Sequence, residues 1–110
     1  MRLMAMTVAL CLGIAVSAAA QDAKVTKGQE VYAAQKCNLC HSIDGKGNAK
    51  GPLDGVASKL TAEEIRNWFA DSKGMTAKTK AERKPAMKAY ALPKEDVDAL
   101  VAYLGTLKKK

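Results

Sequence analysis

The sequence predicts an all-α fold. Three stretches place apolar residues at helical spacing, and no stretch alternates strictly enough to read as a strand. The long segment between the first two helices holds so many glycines and prolines that a regular element cannot run through it. With 110 residues, 48% of them apolar and 26% charged, the chain makes one globular domain at most and is not disordered. Three cysteines and one histidine exclude a two-histidine metal site and are too few for a disulfide framework.

The N-terminus, residues 1–20, reads as a secretory signal peptide. Arg2 supplies the positive charge, Thr7 to Val16 is almost wholly apolar, and Ala18-Ala19-Ala20 forms an A-x-A cleavage site. The apolar run falls short of the about 20 residues that span a bilayer, so no integral membrane span is expected in the mature chain. Cys11 is a poor lipid-attachment site, because Leu10 stands where a small residue is required. Cleavage leaves residues 21–110, a 90-residue domain of net charge +6, since Arg2 is the one charge lost from +7. A chain of that length buries little core of its own.

The first helix is expected from Thr26, where Thr26-x-x-Gln29 has the form of a capping box, toward Cys37; Gly28, Val31 and Tyr32 share one face. Residues 44–55, with Gly45, Gly47, Asn48, Gly51, Pro52 and Gly55, read as loop. Thr61-x-x-Glu64 announces the second helix, with Leu60 stapled to Ile65 and Ile65, Trp68 and Phe69 on its apolar face. Gly74 is placed to end it in a left-handed cap. Met75 to Lys84 is polar and basic, either a short exposed helix or a loop, and Pro85 stops it. The last helix begins near Pro93, carries Glu95 and Asp96 in its first turn and Lys108 to Lys110 at its end, and buries Val97, Leu100, Val101 and Leu104.

The chemistry lies in Cys37-Asn38-Leu39-Cys40-His41. C-x-x-C-H is the covalent haem attachment sequence. Two thiols three residues apart on one helical turn each add to a vinyl group of the same porphyrin, and the histidine that follows becomes the proximal iron ligand. A thioredoxin-like reading needs strand–helix alternation, which is missing, and a zinc site needs a fourth ligand that the mature chain does not supply. Both remaining cysteines and the lone histidine fall inside this motif, behind an export signal.

These residues resemble the class I c-type cytochromes, small soluble electron carriers. The resemblance covers nearly all of residues 24–108. It rests on the first helix with Gly28 and Tyr32, the Cys37–His41 motif, the Gly51-Pro52-Leu53-Asp54-Gly55 loop, the Pro85-Ala86-Met87 segment and the ending Leu100-Val101-Ala102-Tyr103-Leu104. It implies the class I cytochrome c fold: three main helices plus loops wrapped around one covalently bound haem, first and last helices crossing at Gly28, Tyr32, Leu100 and Tyr103. The loop is one residue shorter than the family's usual Gly-Pro-x-Leu-x-Gly. The resemblance implies that Pro52 lends its carbonyl to the His41 ring and that Trp68 walls the haem pocket. His41 being the lone histidine, methionine sulfur is the natural sixth ligand, and Met75 and Met87 survive cleavage. Met87 lies before an aromatic, Tyr90, and before the last helix, as the family's ligand does, so it is the expected one. Met75 and an open position stay as alternatives.

The function implied is a periplasmic one-electron carrier: a monomer, not an enzyme, that docks its positive surface on acidic patches of redox partners. The alternative is a haem c subunit of a periplasmic dehydrogenase or oxidase complex. Nucleic acid is a poor partner, because no aromatic residues interleave with the lysines.

Overall fold

The structure, a computed structural model, describes residues 8–109, with side chains from position 19 onward. The first seven residues of the expected signal peptide lie outside the described residues. Five helices follow in order: α1 (Val8–Ala34), α2 (Val56–Lys59), α3 (Ala62–Ala70), α4 (Ser72–Thr79) and α5 (Lys94–Leu104). A single 3-10 turn, Cys37–Leu39, follows α1. The fold is all-α, as expected, with one small addition. Ser42–Ile43 (β1) and Lys46–Gly47 (β2) pair antiparallel inside the predicted loop. Asp44 and Gly45 both take positive φ, 52° and 77°, as a type I′ hairpin turn requires.

Helix α1 starts well before Thr26. Alanines 18–20 and the residues after them are strong helix formers, so the backbone never breaks to an extended N-cap. Thr26 therefore caps nothing, and its hydroxyl donates back to Asp22 O at 3.0 Å. The helix stops at Ala34, short of Cys37, because Lys36 turns left-handed at φ 55°. No described helix is long and apolar enough to cross a membrane.

The centre of the fold is the crossing of α1 and α5. Gly28 is buried there, and a Cβ on it would run into the carbonyl of Ala99 and the side chain of Tyr103. Tyr32 and Tyr103 meet edge to face, with centroids 5.9 Å apart. Val31, Ile65, Phe69, Leu100, Val101 and Leu104 form the buried cluster, with Leu100 1% exposed. Lys27 reaches Asp96 (3.5 Å) and Glu95 (3.6 Å) at the start of α5, exposed pairs worth little.

Helix α3 begins as the sequence predicts. Glu64 N donates to Thr61 Oγ1 at 3.2 Å, and Thr61 N to Glu64 Oε1 at 3.0 Å. Its end differs. Asp71 closes α3 and at once caps α4, accepting from Gly74 N at 3.0 Å, so Gly74 lies inside α4 and is no left-handed cap. The basic stretch thus opens as a helix, not exposed throughout: Met75 is 8% exposed. At the other end α5 stops at Leu104, before the lysines expected to close it. The chain instead turns back onto α2, where Ala57 N donates to Leu107 O (3.0 Å) and Lys109 N to Ser58 Oγ (2.8 Å).

An exposed mid-helix glycine is stabilised by alanine by up to about 1 kcal/mol. At Gly28 the sign reverses. Gly28→Ala is expected to lower stability by about 1–3 kcal/mol through overpacking, read as a lower urea midpoint with unchanged slope. A raised midpoint would show that the helices do not cross there.

Candidate functional site: a helical turn facing a large cavity

The left-handed Lys36 ends α1 and starts a tight turn. Cys40 N and His41 N both donate to Cys37 O, at 3.1 and 2.9 Å. That closes one helical turn and brings the two thiols and the imidazole to the same cavity wall. The turn's outer carbonyls are held by Asn48. Its backbone N–H is shared between Asn38 O (3.1 Å) and His41 O (2.9 Å), and its side-chain amide donates to Leu39 O at 3.1 Å. The sequence showed Asn48 as a loop former only. No local signal reveals a bond ten positions back.

The ring of His41 is fixed by its Nδ1–H, which donates to Gly51 O at 3.0 Å. The acceptor carbonyl that the resemblance implies is that of Pro52. The backbone register explains the shift. Ser42 bridges in parallel to Pro52, with Ser42 N on Gly51 O (3.1 Å) and Leu53 N on Ser42 O (2.8 Å), so Gly51 presents its carbonyl to the ring. Pro52 itself is exposed and not on the cavity wall. With Nδ1 protonated, Nε2 keeps its lone pair. Burial, with Arg83's cation adding to it, holds the imidazole's pKa below its ordinary value, against the opposing effect of the Gly51 bond. The ring is thus neutral, as a metal ligand must be. Burial likewise raises the Cys37 thiol.

The turn faces a cavity of 770 Å³. Interiors are close-packed, with few voids larger than a water, so a hollow this size in so short a chain is a binding site and no packing defect. Leu53, Val56, Leu60, Ile65, Phe69, Leu100 and Leu104 give it an apolar floor, and Trp68 and Met87 both line it. Met75, though buried, does not. Tyr32 is on the same wall, its hydroxyl buried and without a hydrogen-bond partner among the described residues, and burial pushes its pKa up to about 12. The charged residues on the lining are Lys36, Arg83 and Lys88; no Asp or Glu is among them. Such a cavity suits a large flat apolar group with acidic substituents and a site for covalent attachment at one edge.

The sequence matches the family model "Cytochrome c" over residues 25–108. The chain belongs to the cytochrome c family. Its members carry covalent haem c, and Cys37 and Cys40 stand in the attachment position ahead of His41. The cavity fits that group: the apolar walls suit the macrocycle, and the Cys37 and Cys40 thiols and the His41 imidazole share one wall, where the ring edge would be attached. Bound there, the haem supplies a one-electron iron couple. The chain is also 29% identical to cytochrome c oxidase subunit 2 of Alkalihalophilus pseudofirmus, over 74% of its own length and 25% of that protein's. It therefore spans about a quarter of that relative. No solved structure matches the chain significantly.

Proposed function

We propose that this cytochrome c is exported to the periplasm, loses residues 1–20, and works there as a one-electron carrier whose iron is held between His41 and Met87. The observation that carries the ligand reading is that His41 and Met87 line the same cavity while Met75 lies in the wall of none of it. Thioether ligation raises the reduction potential. The chain's own part is to orient the imidazole through Gly51, keep water out with Leu, Ile and Phe side chains, and hold the methionine loop in place. Carrying an electron makes no bond in a substrate, so no catalytic residue is assigned.

A second reading has one observation in its favour. The relative is by name a subunit of an oxidase, so this domain would serve as the haem module of a larger complex. Lys36 and Lys88, exposed beside the cavity, favour instead a surface that docks and leaves.

Protein purified from the periplasm is expected to begin at Gln21. In it, Met87→Ala should abolish the ferric iron-to-sulfur absorption band and admit carbon monoxide to the ferrous form. The reduction equilibrium should move at least about tenfold toward ferric, about 59 mV for one electron. Met75→Ala should leave all three unchanged and cost about 2–5 kcal/mol of stability, as loss of a buried side chain does. The reverse pattern moves the ligand to Met75. No change in either variant removes methionine ligation altogether.

Electron transfer to an acidic partner protein is expected to slow as salt rises, because charges are screened over about 10 Å at 0.1 M ionic strength. A rate that does not vary with salt rules out steering by the basic surface.

A further inference from the structure

Residues 82–92 carry Met87 from α4 to α5, yet they make no backbone-to-backbone hydrogen bonds among the described residues. The last such bond before them is Ala81 N to Thr76 O, and the first after them is Asp96 N to Pro93 O. Eleven residues of irregular chain thus approach the cavity without a ladder. One hydrogen bond ties them to the rest of the described protein: the Arg83 guanidinium donates to the carbonyl of Cys40. That carbonyl belongs to the attachment turn, 43 positions earlier.

The seat for the guanidinium is built. It lies against Gly51, where a Cβ would strike both Arg83 and the Cys40 carbonyl, so the loop can approach this closely because position 51 has no side chain. Gly51 is also the residue whose carbonyl orients His41. Arg83, Cys40, Gly51 and His41 therefore meet at one junction, with Arg83 on the cavity wall.

We infer that Arg83 is a positioning residue: it clasps the Met87 segment to the haem-attachment turn and places a fixed cation beside the His41 ring. The inference rests on the His41/Met87 reading above. Two consequences follow. Losing the clasp frees the segment, so the sixth position opens more often. Losing the cation removes a charge that disfavours the ferric state, so the potential falls. A guanidinium does both because it is planar, rich in donors and always charged.

The test measures midpoint potential and carbon monoxide association to the ferrous haem protein, in the wild type and in R83M, R83K and K73M. Lys73 is exposed on α4 and off the cavity wall, so K73M removes a charge without touching the junction. R83M should move the reduction equilibrium at least about tenfold toward ferric and speed carbon monoxide association at least about tenfold. R83K, which keeps the charge, should recover most of the potential. K73M should match the wild type in both. If R83M stays within twofold of the wild type on both readings, or K73M shifts the equilibrium as far as R83M does, the inference is overturned. Should R83M fail to load haem, R83Q carries the test: it loses the cation but keeps a donor, so an unshifted potential there overturns the inference equally. Rapid carbon monoxide binding by the wild type itself would count against Met87 ligation and not against the clasp.

Discussion

A chain of this size cannot close its own core. The crossing of α1 and α5, with Leu100, Val101 and Leu104 against Val31, is well packed. Beside it lies the 770 Å³ cavity, and its walls are made from the same core residues: Ile65, Phe69, Leu100 and Leu104 each belong to both. Without the haem, those apolar side chains would forgo the dispersion contacts that a filled interior supplies. The haem is accordingly as much a part of the core as any side chain. Removing it would leave the Met87 segment, which makes no backbone-to-backbone hydrogen bonds among the described residues, with little to pack against.

What must stay rigid is the turn Cys37–His41, because it sets where the macrocycle sits. Four backbone and side-chain groups hold it from outside: the N–H and amide of Asn48, the carbonyl of Gly51 and the guanidinium of Arg83. Two glycines act through absence of bulk. Gly51 leaves room for Arg83, and a side chain on Gly47 would collide with the His41 carbonyl. The glycine-rich loop after the motif is thus the scaffold of the His41 ring, and its irregular backbone is what lets so many donors and acceptors converge on one turn.

Local signals in the sequence agree with the structure where local forces decide. The Thr61–Glu64 capping box formed with both its bonds, and the crossing at Gly28 formed where the resemblance implied it. Thr26 has the same local pattern, but strong helix formers upstream carry the helix through it. Gly74 was displaced as a terminator because Asp71, three residues earlier, caps a new helix. The lysines at the end fall outside α5 because the tail is drawn back to Ser58 and Ala57. At the site, the attachment turn was legible from spacing alone. Its supports were not: the shift from Pro52 to Gly51 depends on a bridge between Ser42 and Pro52, and Arg83 reaches across 43 positions. Neither leaves a mark on neighbouring residues.

The central claim is that the haem completes the fold. It is tested most directly by thermal unfolding of the haem-bearing protein against Cys37→Ser/Cys40→Ser, followed by near-ultraviolet circular dichroism of Trp68 and the tyrosines. The account predicts one cooperative transition for the haem-bearing protein and no cooperative tertiary transition for the variant. A variant without haem that melts cooperatively at the same temperature would contradict it.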